Sequence, residues 1–444
     1  MTEATTGGEA QGPMAASPMS RAQIVVLAVA VLLAALDGFD VLGMAFVAPA
    51  LSHAWALDKA SLGLLLSTSL IGMAAGSLVL SPLADITGRK PMVFSAICLM
   101  ILGSLLSALS HTVPQLAGSR ILTGVGIGVM VPLTTAIASE FASAKSRAFA
   151  VTATTVGFTA GSVVGSLIAA GLLKHHAWQS VFVSGAVAGL ILLPITAFGL
   201  SESPAFLMSR RPKNALERLN KVLRRMGRPV AASLPEAPSQ KRVSYLALLA
   251  PDMIVQTLCF AAAGSLVTTT TYYLLNWLPQ LIADAGFPPS TGSLLSATTA
   301  LVGMASGLLF GVAASRFGAA RLASVAMVAL GVAVAVFGFT PPVLKLLVAS
   351  TALCGFFSGG TAGMFYATVA GSFPARTRVS ALGLISGIGR VLSVSGPSVA
   401  GALFAAGLNR GGVSLIFACM PIVASVLVFV GARRAAAQLK LTTG

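Results

Sequence analysis

The sequence predicts an all-α polytopic membrane protein of twelve transmembrane helices in two six-helix halves. Three observations predict it. The 444 residues are 56% hydrophobic and only 9% charged, against about 45–50% and 25% in soluble globular chains, and mean hydropathy is +0.91. The apolar residues gather into runs long enough to cross a bilayer. A related turn recurs at the same place in each half. So little charge cannot cover a soluble surface; disordered, fibrous and disulfide-stapled secreted classes are excluded on the same ground.

A span needs about 20 mostly apolar residues. Reading between turn and charge signals places spans at about 23–50, 61–82, 91–109, 115–138, 149–173 and 180–199 in the first half. The second half follows at about 250–282, 290–314, 320–340, 343–370, 380–405 and 412–432. Barrel strands are excluded, because they alternate over about ten residues instead of running apolar for twenty. Residues 1–20 are polar and carry two glutamates, so they read as a disordered cytoplasmic tail instead of a signal peptide. The organisation is then 21–200 for the first half, 201–245 for a central cytoplasmic loop, 246–432 for the second half and 433–444 for a cytoplasmic tail. In the loop, Lys213–Met226 reads as a basic helix. Gly227–Gln240, with Pro229, Pro235 and Pro238, reads as linker.

The net charge of +16 points to a bilayer, not to nucleic acid, because of where the charges fall. With the N-terminus inside, 22 of the 28 Lys and Arg lie on inner segments and four on outer ones, while Arg120 and Arg390 lie within spans. Both termini are therefore expected in the cytoplasm. Cys98, Cys259, Cys354 and Cys419 sit in apolar runs without metal spacing and read as small buried hydrophobes. His53, His111, His175 and His176 read as loop residues, and no metal site or cofactor is expected.

The recurring turn is Ser81-Pro-Leu-Ala-Asp85-Ile-Thr-Gly88-Arg89-Lys90 after span 2, and Gly311-Val-Ala-Ala-Ser315-Arg316-Phe-Gly318-Ala-Ala-Arg321 after span 8. Duplicated six-span halves are a transporter architecture. At these residues the chain resembles the major facilitator superfamily, whose signature runs Gly-x-Leu-x-Asp-Arg-x-Gly-Arg-Lys. Leu83, Asp85, Gly88, Arg89 and Lys90 match, while Ser81 and Ile86 depart from it. Asp37-Gly38-Phe39-Asp40 resembles a span-1 signature of the aromatic acid:proton symporters. Asn276-Trp277-Leu278-Pro279 fits the same group, as do Gly387-Ile-Gly389-Arg390 and Gly396-Pro397. Ser201-Glu202-Ser203-Pro204 is similar to a segment shared with sugar porters. The resemblance implies the major facilitator fold, with two halves rocking about a central site. It also implies gating by Asp85, Gly88, Arg89 and Lys90, with plain topology determination as the alternative for the last two.

Charges inside spans cost about 2.5–3.5 kcal/mol each, so each is a functional expectation. Asp37 and Asp40 are three residues apart on one helix face and form the candidate proton-coupling pair. Arg390 is expected to grip the substrate carboxylate through its planar fork. Two roles are open to Arg120, catching an incoming anion or snorkelling to the outer edge. Glu140 is expected to pair with Lys145 or Arg147. Phe39, Tyr272, Asn276 and Tyr366 are the ring-stacking and hydrogen-bonding candidates for an aromatic ligand. Trp277 and Tyr273 also fit an interface belt. Gly157, Gly161 and Gly165 form a small-residue packing face.

The expected activity is proton-coupled uptake of an aromatic carboxylate, such as a benzoate, hydroxybenzoate or phenylpropionate. The expected setting is a bacterial inner membrane and the expected form a monomer. The proton is the coupling ion, and the partners are the small molecule and the lipid bilayer. Transport of a sugar or non-aromatic organic acid, or drug:proton antiport, are the alternatives. No nucleophile or metal ligand adjoins the deep acids, so no enzyme is expected.

Overall fold

The computed structural model describes residues 19–143, 145–234, 248, 250–251, 253–374 and 377–443. The expected N-terminal tail over 1–18 lies outside the described residues, as do Pro235, Pro238 and Arg376. Among the described residues, twelve helices are long and apolar enough to cross a membrane. They are α1 (Arg21–Trp55), α2 (Lys59–Thr87), α3 (Arg89–Ala108), α4 (Val113–Phe141), α5 (Arg147–His175) and α6 (Gln179–Gly199). Two short helices follow, α7 (Pro204–Arg210) and α8 (Ala215–Arg225). Then come α9 (Ile254–Asp284), α10 (Pro289–Phe317), α11 (Ala319–Phe339) and α12 (Leu344–Ser372). The eleventh span is built from α13 (Arg378–Ser393) and α14 (Ser395–Ala405), and the last helix is α15 (Arg410–Thr443). Large apolar side chains such as Leu309 and Val312 stand exposed, as lipid permits and water does not.

The sequence explains where helices start, stop and bend. Proline stands in the first turn of α4, α7 and α10, where its missing N–H costs nothing. Ser203 caps α7, its Oγ accepting from the Phe206 N–H at 3.3 Å. At the start of α2, Asp58 Oδ1 accepts from the Ser61 N–H at 3.3 Å, and its hydrogen bonds with Ser61 hold the carboxyl below the usual range. α2 is interrupted by a π-turn over Gly76–Leu80 and a 3-10 turn over Ser81–Leu83, with Pro82 inside the latter. The single run expected over 380–405 is broken at Val394. Pro397 has no N–H for the carbonyl of Ser393, and the helix resumes at Ser395, two residues before it. Val394 keeps helical angles of φ −55° and ψ −36°, so that Ser380–Ala405 still forms one span.

The contacts divide the chain into two units. Unit 1 comprises residues 1–41, 75–162 and 182–240; unit 2 comprises 42–74, 163–181 and 241–444. In unit 1, α1 and α5 pack by backbone approach. A Cβ on Gly38 would stand 1.9 Å from the Phe158 carbonyl oxygen, and one on Gly161 would stand 1.9 Å from that of Ala35. Small residues at this spacing let two helices touch where side chains would hold them apart. Gln23 Nε2 donates to the Phe141 carbonyl at 2.7 Å and ties α1 to the end of α4. In unit 2 the core gathers Phe260, Phe365 and Phe373, with ring centroids 6.4 and 6.1 Å from Phe260.

Several expectations need correction. His53 and His175 lie in the last turns of α1 and α5, not in loops. Cys98 and Cys419 are exposed, so only Cys354 is a buried hydrophobe. Trp277 and Tyr273 are fully buried, not anchored in an interface belt. Trp277 Nε1 donates to the Pro397 carbonyl at 3.0 Å, and the Tyr273 and Ser414 hydroxyls share a hydrogen bond of 2.8 Å.

Candidate functional site

Unit 1 carries the acids. Asp37 and Asp40 are 1% and 3% exposed, one turn apart on α1. Burial follows from the glycines around them. Gly38 lets the α5 backbone close over the helix, and Ser162 Oγ donates to the Gly38 carbonyl at 2.9 Å. Across from Asp40 stands Gly185 of α6, where a Cβ would lie 2.9 Å from Asp40 Oδ1 and 2.7 Å from the Phe39 ring. Phe39 is thus packed against α6 beside the acid it accompanies.

Arg120 does not snorkel. It is fully buried, with Nη2 donating to the Asp40 carbonyl oxygen at 2.8 Å and its guanidinium 5.1 Å from the Phe182 ring centroid. It also attracts the Asp40 carboxylate electrostatically. It lies two turns from the start of α4 at Val113, and these inward contacts turn its guanidinium away from the helix end.

Unit 2 carries the other candidates. Arg390, in the last turn of α13, is half-buried, and among the described residues it has neither an ion pair nor a hydrogen-bond partner for its guanidinium. It interacts electrostatically with the hydroxyls of Tyr272 on α9 and Tyr366 on α12, which also interact with each other. The structure therefore brings these three candidates together. Asn276 is buried one turn along α9 and donates to the Tyr272 carbonyl at 2.9 Å. The remaining capacity of its amide is available to a ligand or a neighbour.

The turn after α2 is a charge network within unit 1. Gly88 adopts φ 108°, a conformation only glycine takes easily, and reverses the chain into α3. Arg89 pairs with Asp85 at 2.9 Å and with Glu140 of α4 at 3.0 Å. Glu140 was expected to meet Lys145 or Arg147; it meets Arg89 instead, because α4 lies alongside the start of α3. Lys90 Nζ donates to the Ala197 carbonyl at 2.8 Å.

Sequence reasoning missed Glu202. Its Oε1 accepts from the N–H groups of Arg89, at 2.8 Å, and Ser203, at 3.0 Å. A carboxylate there meets free donors and the positive end of the α3 dipole. The signal was present in the Ser-Glu-Ser-Pro string, which has no partner visible in sequence. Also missed was a seam in unit 2 between α2 and α14. Gly63 and Gly401 approach at backbone distance, and Ser398 Oγ and Ser67 Oγ are hydrogen-bonded at 2.7 Å. Nearby, Lys59 and Asp284 form an ion pair of 2.5 Å, with Gln280 Nε2 donating to the same carboxylate at 2.9 Å.

Known proteins match this chain along nearly its whole length. The family described as sugar (and other) transporter matches residues 26–436. The 4-hydroxybenzoate transporter PcaK of Pseudomonas aeruginosa is 30% identical over 410 residues, covering 89% of each chain. The gallate transporter of Pseudomonas putida is 28% identical, covering 90% of this chain and 89% of its own. The 3-(3-hydroxy-phenyl)propionate transporter of Escherichia coli is 28% identical, covering 93% and 95%. Among solved structures, a D-xylose-proton symporter superposes with a TM-score of 0.72 at 17% identity, covering 91% of this chain and 97% of that one. At that identity the likeness shows the fold, and the fold is the one expected. The family match, the twelve long helices and the paired turns agree: the chain belongs to the sugar (and other) transporter family of the major facilitator superfamily, and is a multi-pass membrane transporter, not an enzyme.

Proposed function

We propose that this transporter takes up an aromatic carboxylate together with protons, across a bacterial inner membrane, with both termini in the cytoplasm. The observation that carries the reading is Arg390. A half-buried guanidinium without an acid partner among the described residues, beside two tyrosine hydroxyls, is a receptor for an anion with a ring attached. Gallate, 4-hydroxybenzoate and 3-(3-hydroxy-phenyl)propionate, named for the relatives, are all hydroxylated aromatic acids. Tyr272, Tyr366 and Asn276 supply hydroxyl and amide groups for the ring substituents. The sign of the charge separates this reading from sugar uptake, since a neutral sugar has no use for an uncompensated arginine.

Asp37 and Asp40 are the coupling pair. Two carboxylates one turn apart, buried near mid-helix, repel when both are charged, and a proton relieves the repulsion. Arg120 holds Asp40 in place and is a positioning residue, not a substrate contact. Positive-inside charge supports the orientation. The network at Gly88 is the gate that opens and closes at the inner face, with Asp85, Arg89 and Lys90 as its members.

The test is uptake of labelled 4-hydroxybenzoate, gallate, acetate and xylose into proteoliposomes with and without an imposed proton gradient. Gradient-driven accumulation of the two aromatic acids alone is expected. Asp37→Asn is expected to abolish accumulation while leaving exchange of substrate across the membrane. Arg390→Ala is expected to raise KM about tenfold to a hundredfold, the loss of charged hydrogen bonds of about 1.5–3 kcal/mol. Equal uptake without a gradient removes the coupling; xylose uptake in place of the acids removes the substrate assignment.

A further inference from the structure

Beside the network at Gly88, unit 1 contains a second charged feature. A cavity of about 330 Å3 lies between α8 and the chain joining α6 to α7. Four cations line it: Lys90, Arg218, Lys221 and Arg225. One carboxylate faces them, that of Glu202, and its Oε1 is already engaged by the backbone at the start of α3. Lys90 and Arg225 lie close enough to repel each other. Arg225 donates to Ser201 Oγ at 3.1 Å and to the Phe198 carbonyl, which holds its guanidinium at the rim. Arg218 and Lys221 have no ion pair among the described residues. Four cations and one carboxylate around one space make a region of positive potential that attracts an anion.

The rest of the cavity selects which anion. Leu207 and Val222 make part of its wall, so the occupant presents an apolar portion as well as a charge. Phe198, on the α6 end that Arg225 grips, is 79% exposed on a membrane-spanning helix, where acyl chains are its natural neighbours. α8 itself is amphipathic, burying Ala215, Leu219 and Val222 and turning its basic residues outward, the form of a helix lying at a bilayer surface. We propose that this cavity binds the phosphate ester of an anionic phospholipid, with Arg218 and Lys221 as its principal ligands. The cations meet the phosphate and the apolar wall meets the glycerol end of the acyl chains. A bound headgroup also pins α8 against α7 and the turn that carries Glu202.

Native mass spectrometry on the full purified chain tests this, using phosphatidylglycerol, phosphatidylcholine with the same acyl chains, and soluble glycerol phosphate. Phosphatidylglycerol is expected to bind at least tenfold more tightly than phosphatidylcholine. Arg218→Ala with Lys221→Ala is expected to weaken it about thirtyfold, at about 1 kcal/mol for each surface cation. Both side chains are exposed and without ion-pair partners, so the variant folds; its melting temperature checks this. Lys213→Ala with Arg224→Ala removes an equal charge at and beside the same helix, outside the cavity, and is expected to cost threefold or less. Equal binding of the two lipids overturns the proposal, and so does equal loss in the Lys213/Arg224 and Arg218/Lys221 variants, which would be bulk attraction. Displacement of the lipid by glycerol phosphate at matched concentration upholds the phosphate site and overturns its lipid source.

Discussion

Substituting the two turn glycines separates backbone strain from charge placement. Gly88 has φ 108° and ψ 157°, and Gly318, at the same place in the second half, has φ 80° and ψ 138°. Alanine in such a region costs about 1–3 kcal/mol from the backbone alone. At Gly318 nothing lies within 4 Å of the added Cβ, so Gly318→Ala measures that strain by itself. At Gly88 the Cβ would stand 2.5 Å from Glu202 Oε2 and 3.1 Å from its Cδ. The carboxylate must move, and Oε1 then leaves the N–H groups of Arg89 and Ser203. Losing charged hydrogen bonds there costs a further roughly 1.5–3 kcal/mol. Gly88→Ala is therefore expected to destabilise the protein by that much more than Gly318→Ala. Reversible unfolding in mixed micelles, followed by the fluorescence of Trp55, Trp178 and Trp277, gives the two values. A double-mutant cycle closes the test: in a Glu202→Ala background the excess is expected to fall close to zero. Equal costs for the two glycines, or an excess that survives removal of Glu202, refutes the steric link between Gly88 and its carboxylate.

Three further outcomes follow from particular contacts. In a background with the four native cysteines replaced, Ser67→Cys with Ser398→Cys is expected to form a disulfide on mild oxidation. The hydroxyls are 2.7 Å apart, and uptake should fall at least tenfold until reduction restores it; a cross-linked protein that transports normally shows that the seam never opens. Arg120→Met is expected to lower stability by about 3–5 kcal/mol, because it removes the cation that serves a buried acid, and Asp40→Asn added to it is expected to recover most of the loss; an additive pair in thermal melts would contradict the coupling. Lys59 and Asp284 are about a third exposed, so a double-mutant cycle is expected to give a coupling of only about 0.2–1 kcal/mol that fades at high salt; a larger, salt-insensitive value would mean that the pair is shielded from water.

The fold was legible because its causes are local. Runs of about 20 apolar residues, proline in first turns and lysine or arginine at span ends each act within a few residues, and the twelve helices appear where those signals stand. The buried acids were legible for the same reason, since a charge inside an apolar run declares its cost without a partner. Pairing was not legible. Glu140 had two basic residues close by in sequence, yet its cation is Arg89, 51 residues away. Ser67 and Ser398 are small, weakly polar and separated by 331 positions, and nothing in either segment marks them as neighbours. Depth within a span failed too. Arg120 sat close to an expected boundary, and it is buried because its guanidinium turns onto the Asp40 carbonyl and the Phe182 ring, partners 80 and 62 residues away in sequence.

The two turns show what duplication conserves. Gly88 and Gly318 both keep a positive φ, and both open a helix that follows a long apolar span. Their charges differ. Around Gly88, Arg89 is matched by Asp85 and Glu140, and Glu202 closes the helix end. Around Gly318, Ser315 turns its hydroxyl onto the Val312 carbonyl, and Arg316 and Arg321 are exposed without an ion pair among the described residues. Backbone geometry is needed in both copies because the chain must reverse in both, and only glycine reverses it cheaply. An ion network is needed only where opening is to be resisted, and placing it in one copy makes one turn hard to open and the other easy. The stiffness of the proposed inner gate therefore resides in the first half, and disrupting Arg89 should change its opening far more than disrupting Arg316.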